Sequence, residues 1–216
     1  MQPGRRLPEE FFARSPVEIA PELLGCLLVH ELRDGVRLCG RLVEVEAYVG
    51  DGSDPSAHCH SGPTARNRSL FGPPGRVYVY RSYGIHICVN VVCRPDGIGA
   101  GILLRAAEPL EGEERMRALR GLDADAPRWQ IASGPGRLGE AFAIGLDHDG
   151  EPFDGRRLAI HRPPTGSPAA RVIAGPRIGI RRAQELPYRF HLADDPFVSG
   201  PRRPRRSPAP AVGRAR

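Results

Sequence analysis

Residues 42–48 read LVEVEAY, residues 76–93 read RVYVYRSYGIHICVNVVC, and residues 102–106 read ILLRA. Apolar and polar residues alternate through all three, the period of a half-buried strand. In the first, Leu42, Glu44, Glu46 and Tyr48 are expected on one face, with Val43, Val45 and Ala47 on the other. In the second, Arg76–Tyr80 is a strand that puts Tyr78 and Tyr80 together. Gly84–Cys93 follows, with Ile85, Ile87, Val89 and Val91 facing one way and His86, Cys88 and Asn90 the other. The third, Ile102–Ala106, aligns Leu103 with Arg105. In each, one face packs and the other carries polar groups.

Working outward, Val36–Tyr48 extends the first strand backwards. The turn Arg33-Asp34-Gly35 joins it to a strand over Leu24–His30. Helices are expected at Glu9–Arg14, at Pro16–Leu24 with Ser15 as its cap, at Glu111–Arg120 and at Gly136–Ile144. Late strands are expected at Arg156–His161 and Arg177–Arg182. Gly50–Gly75 is a long loop, a length that usually signals function or disorder. This order predicts an α+β fold: a single compact domain over residues 1–200, with a curved, mostly antiparallel sheet flanked by helices. Residues 201–216, rich in Pro and Arg, are expected to be a disordered tail.

Net charge is +6 over 216 residues, and the six arginines of the tail account for all of it. Any basic face in the domain is therefore local. From Pro55 to Pro95 there is no Asp or Glu, so that stretch is the place to look. The 31 basic residues are all arginine, which excludes a lysine Schiff base. The five cysteines form no C-x-x-C pair and read as buried thiols of a reducing compartment. His58-Cys59-His60 lacks a second ligand group at metal-site spacing, so no zinc is expected there. No membrane span or signal-peptide core is present. The expectation is a cytoplasmic, nucleoid-associated protein that is not secreted.

A basic, aromatic, acid-free stretch has the composition of a nucleic-acid interface. Tyr48, Tyr78, Tyr80 and Tyr83 are four of only five tyrosines. Rings on one strand face can stack on a base. Tyr83, at the turn Ser82-Tyr83-Gly84, has no core to enter and is a candidate wedge into a base stack. Arg66, Arg68, Arg76 and Arg81 are candidate phosphate contacts. The Gly136-Arg137-Leu138-Gly139 segment is a weak anion-binding signal. Glu46, beside Tyr48 at the edge of this stretch, is a candidate general base for water. Two other readings compete. A non-catalytic nucleic-acid-binding protein would have no use for Glu46. A sugar hydrolase would pair Glu44 with Glu46.

The succession VEVEAY (43–48), AHCHSGPTARNRSLFGPPGRVYVYRSYGIHICVNVV (57–92), ILLRAAEPLEG (102–112) and ASGPGRLGEAFAIG (132–145) resembles the alkyladenine (3-methyladenine, N-methylpurine) DNA glycosylase family. The likeness spans about residues 8–200, through GPRIGI (175–180) and PYRFHL (187–192). It implies a monofunctional glycosylase without lyase activity or cofactor. Such an enzyme flips damaged purines out of double-stranded DNA and excises them: 3-methyladenine, 7-methylguanine, ethenoadenine, hypoxanthine. The implied roles are Glu46 as the catalytic acid that deprotonates water, and Arg105 placing that water. Tyr48, His58 and Tyr80 contact the base, Asn90 crowds a guanine 2-amino group, and Tyr83 intercalates. A monomer is expected. Gly145, where family members often carry Asn, and the wording of the 50–62 loop depart from the pattern and bear on which bases are accepted.

Overall fold

Among the described residues, eight strands build one antiparallel sheet: β1 (Leu27–Glu31), β2 (Arg37–Tyr48), β3 (Val77–Ser82), β4 (His86–Cys93), β5 (Ala100–Glu111), β6 (Leu158–His161), β7 (Val172–Gly175) and β8 (Arg189–Leu192). The computed structural model describes residues 4–154, 156–167 and 170–200; the tail at 201–216 lies outside the described residues. The strand order is β3-β4-β5-β2-β1-β6, with β8 also on β2 and β7 on β8. One edge of β2 is therefore shared. β1 pairs with its first half, at Arg37–Arg41, and β8 with its second, at Glu44–Glu46. The sheet curls, and the α+β expectation holds.

The fork coincides with a double irregularity in the β2–β5 ladder. Leu42 pairs with Ala107, Glu44 with Ala106 and Val45 with Leu104, so Val43 is an extra residue on β2 and Arg105 an extra residue on β5. A bulge flips the alternation of faces. Leu42 consequently joins Val45 and Ala47 in the main core, whereas Val43 packs behind the sheet with Ala106, Leu192 and Phe197. This corrects the expectation that Leu42 shares a face with Glu44 and Glu46. The polar face is also no solvated surface, since both carboxylates are fully buried.

Helices α1 (Glu9–Phe12), α2 (Pro16–Leu23), α3 (Glu113–Leu119) and α4 (Pro135–Ala141) cover the core face. Phe12, Ile19, Leu23, Leu138 and Phe142 meet Val89, Val91, Ile102 and Leu104 there. Each such fully buried side chain contributes about 1.5–3 kcal/mol. Ser15 precedes α2 as expected, yet its hydroxyl makes no capping bond; only its carbonyl accepts, from Glu18 and Ile19. The strand expected to end at Ala106 runs on to Glu111, which shortens α3 at its start. Gly136 and Gly139 have a packing role. A Cβ would lie 2.9 Å from the His86 side chain at Gly136 and 2.8 Å from the Ile87 carbonyl at Gly139. They let α4 lie directly on β4.

Residues 177–182 are not a strand. They form an irregular segment between β7 and β8, two short strands the sequence reading missed. Among the described residues no helix is long and apolar enough to cross a membrane.

Candidate active site

The polar face of β2, the inner faces of β3–β5, the loop after β2, the start of α4 and the 178–182 segment surround a cleft of about 1290 Å³. That exceeds the usual range of small-molecule pockets, roughly 300–1,000 Å³. Tyr48, His58, Tyr80, Asn90 and Arg105 line it, and Tyr83 stands at its mouth. Residues from four strands and a loop thus converge as their alternation predicted.

Glu46 sits beneath this lining with no exposed side-chain surface. Its Oε1 accepts the Ile178 backbone N–H at 2.7 Å, and its Oε2 accepts the Tyr48 hydroxyl at 2.9 Å. Arg105 Nη1 is 3.2 Å from Oε2. An ionised carboxylate has about four acceptor sites, so three donors leave one for a water. Burial, and next the Glu46 charge, push the Tyr48 phenol well above its ordinary range, which keeps it a donor.

Glu44 is equally buried but differently employed. Oε1 accepts Arg105 Nε at 2.8 Å, Arg189 Nε at 2.7 Å and the Ser199 hydroxyl at 2.9 Å, and Oε2 accepts the Ser199 N–H at 2.6 Å. Burial opposes its charge, but Arg105 and Arg189 outweigh that and hold the carboxyl below its usual range. Enclosed in this way, Glu44 cannot serve as the second carboxylate of a sugar hydrolase.

The aromatic wall is ordered from behind. Arg177, with no exposed side-chain surface, lies 4.6 Å from the centre of the Tyr48 ring and makes two bonds to Asp54, at 2.5 and 2.8 Å. Tyr78 donates to or accepts from His58 Nδ1 at 2.9 Å, and the His58 ring meets Tyr80 edge-on at 4.4 Å. Partial desolvation by the neighbouring rings, then the Arg66 charge, lowers the His58 pKa and favours the neutral ring. Burial also pushes the Tyr78 phenol up to about 12. Asn90 donates its amide to the Tyr78 carbonyl at 3.0 Å.

The candidate phosphate contacts divide. Arg66 donates to the Arg81 carbonyl at 2.9 Å, which ties it to the β3–β4 hairpin whose tip is Tyr83. Tyr83 is 81% exposed with φ +49°, and Ile85 beside it is 72% exposed, so Ile85 does not face the core with Ile87 and Val89. The turn simply projects past the sheet. Arg68 is exposed at the start of a 3-10 turn, Arg68–Phe71. Arg76 lies apart from the other three candidates. It pairs with Pro152 at the far end of β3, roughly 20 Å from the tip by strand rise. The sequence reading missed Arg137, Arg181 and Arg182 as cleft residues, and the Ile178 N–H as a Glu46 partner. It also missed Asn67, whose amide donates to the carbonyls of His58 and Gly62 and holds the loop. Arg137 had a signal, in the glycine-flanked segment; a backbone N–H has none. Among the described residues no cluster of His, Cys, Asp or Glu could hold a metal, and all five cysteines are buried and unpaired.

A fully buried carboxylate thus lies under an aromatic cleft with an arginine rim and a projecting tyrosine. The sequence matches the family described as methylpurine-DNA glycosylase (MPG) over residues 10–196. It is 49% identical over 198 residues to a Rhodopseudomonas palustris (strain CGA009) protein, covering 92% of this chain and 90% of that one. It is 46% identical over 202 residues to a Burkholderia cenocepacia (strain HI2424) protein, covering 92% and 93%, and 47% identical over 190 residues to one from Nitrosospira multiformis, covering 88% and 92%. All three are named "Putative 3-methyladenine DNA glycosylase". The chain belongs to the methylpurine-DNA glycosylase family. It is accordingly an enzyme, a hydrolase of N-glycosyl bonds in DNA, and not a non-catalytic binding module.

Proposed function

We propose that this enzyme flips a damaged purine out of duplex DNA into the cleft and hydrolyses its glycosidic bond with water activated by Glu46. The substrate class is 3-methyladenine first, with 7-methylguanine, ethenoadenine and hypoxanthine as the further range. The observation that carries this reading is the Glu46 carboxylate. Three donors orient it, one acceptor site remains, and all three partners, Tyr48, Arg105 and Ile178, line the cleft.

A base inside a duplex is beyond the reach of water, so it must leave the stack. Tyr48 and Tyr80 supply π faces for it, and His58 closes the edge. A cationic methylpurine is held by ring faces and is a good leaving group. The water oxygen bonds to C1′ as the C1′–N bond breaks. The bonding pair leaves with the purine nitrogen, and Glu46 takes the proton from the water. Arg105 steers that water, and the buried carboxylate stabilises positive charge developing on the sugar. Asn90, fixed through its amide nitrogen, disfavours a guanine 2-amino group by crowding. Tyr83 fills the gap left in the duplex. Arg66, Arg68 and Arg81 meet phosphates along the hairpin side. One copy of the chain acts on one lesion.

The test is base release from duplexes carrying each of the four lesions, alongside undamaged DNA. Release of 3-methyladenine at a rate indistinguishable from the Glu46→Gln variant refutes the reading.

A further inference from the structure

We propose that Arg177 and Asp54 are positioning residues for the reaction. Their buried ion pair clasps the loop after β2 to the segment after β7, and so sets both the Tyr48 ring and the Ile178 N–H on Glu46. The proposal rests on the reading of Glu46 as the base.

The geometry links four parts of the site through one guanidinium. Arg177 Nη1 donates to Asp54 Oδ2 at 2.5 Å and to the Ala47 carbonyl at 3.0 Å, between Glu46 and Tyr48 in β2; Nη2 donates to Asp54 Oδ1 at 2.8 Å. The guanidinium lies between two rings, 4.6 Å from Tyr48 and 5.4 Å from Tyr188. Asp54 in turn accepts the Ser56 N–H at 3.1 Å and its hydroxyl at 2.6 Å, and Pro55 and Ser56 line the cleft. The residue after Arg177 is Ile178, whose N–H reaches Glu46 Oε1.

Both side chains of the pair are fully buried. Such a pair is weak evidence for stability as such, because desolvation cancels much of the attraction. A planar fork that meets a carboxylate with two bonds does fix geometry. Here it fixes the back of the Tyr48 ring and the chain that delivers one of three donors to Glu46. It also leaves a near-neutral surface behind Tyr48, so that neither charge alone biases Glu46.

That last point gives the clasp an electrostatic signature. Glu46 faces Arg105 from β5, the Tyr48 hydroxyl from its own strand and Arg177 from the segment after β7. At longer range it faces Tyr80 on β3 and Cys88 on β4, while Arg189 on β8 is engaged by Glu44. Removing Arg177 leaves Asp54 unbalanced and disfavours the Glu46 anion. Removing the Asp54 charge leaves Arg177 unbalanced and favours that anion.

The experiment uses the full chain as R177M, D54N and the double variant, with E46Q and the parent as controls, below each protein's melting temperature. Single-turnover release of methylpurines from dimethyl sulfate-treated duplex DNA is followed against pH. Binding to a duplex with a tetrahydrofuran abasic site is measured in parallel. Each single variant is expected to lose roughly 10²-fold in rate, the cost of about a 1 Å misplacement, with analogue binding little changed. The acid limb of the profile moves up in R177M and down in D54N, as loss of one charge of the pair requires; the double variant returns toward the parent. A merely structural pair moves neither limb, and limbs that stay put or move together overturn the proposal. If R177M does not fold, the isosteric D54N decides alone: a limb that fails to move down overturns it. With E46Q inactive, such a result removes the clasp and leaves the reading of Glu46 intact; with E46Q active, both fall.

Discussion

Arg105 is shared between two buried carboxylates, with Nε 2.8 Å from Glu44 and Nη1 3.2 Å from Glu46. The shorter contact is to the residue that the cleft cannot reach. Glu44 therefore holds the arginine, and the arginine presents its other edge to Glu46.

Replacing Glu44 with Ala is expected to destabilise the protein by about 3–5 kcal/mol, because Arg105 and Arg189 would stay charged without a buried partner. Urea denaturation measures this. The Glu44 pKa is depressed in the folded state, so the unfolded chain binds the proton more readily. Its contribution is complete above the unfolded value of about 4.3 and is lost as pH falls through the folded value. The parent's stability should drop along that acid limb more steeply than that of Glu44→Gln.

Glu46→Gln is expected to lower base release by about 10²–10⁴-fold, the usual contribution of a general base. Binding of lesion DNA should persist, since the carboxylate lies below the surface that the base contacts. A variant with near-parental single-turnover rates removes Glu46 from the mechanism.

Tyr83→Ala should impair excision from duplex DNA more than from a lesion in an unpaired context. The ring is 81% exposed, so it has little folded-state packing to lose. Its melting temperature should match the parent's, while the few kcal/mol needed to unstack a nucleotide goes uncompensated. Equal losses on both substrates count against the wedge.

Borohydride should trap no protein–DNA adduct during turnover, and the abasic product should keep an intact strand. The chain has no lysine to form an imine with the opened sugar. A covalent band on a denaturing gel contradicts this.

His30 gives a separate pH dependence. Its Nδ1 bonds the Phe142 carbonyl at 2.7 Å, its Nε2 is buried without a partner, and burial lowers its pKa. The unfolded chain takes up this proton near pH 6.5, about the free value, and the folded chain resists it. Stability should therefore fall as pH drops below about 6.5. His30→Gln should flatten that decline in thermal melts.

The strands with unbroken alternation were legible in the sequence, and so were most of the side chains they bring to the cleft. Tyr48, Tyr80 and Asn90 meet because period-2 facing survives wherever the ladder is regular, and Arg105 joins them from the bulge on β5. What was hidden depends on relations that alternation does not encode. Residues 177–182 alternate like a strand, yet the Arg177 side chain is committed to Asp54 and Tyr48, and the Ile178 N–H to Glu46. Arg76 is near Tyr83 in sequence but a strand length away in space. Ile85 keeps the strand pattern past the point where the sheet stops. Asp54, Ser199 and Arg189 act on the site from loops and a late strand, and only tertiary structure shows what they touch.

The paired bulge at Val43 and Arg105 has a consequence for how this protein can change. Between Leu42 and Val45 each strand carries one surplus residue, and the two cancel, so the ladder regains its phase there; a separate shift at Cys39/Gly40 leaves Leu110 surplus on β5. Loops can gain or lose residues with little effect on the fold. This strand pair cannot, because deleting Val43 alone would leave Arg105 unmatched and rotate either Glu46 into the apolar core or Leu42 out of it. Length variation among descendants of this chain should be abundant in the loops and nearly absent between residues 39 and 48, irrespective of how freely the individual apolar residues there are exchanged.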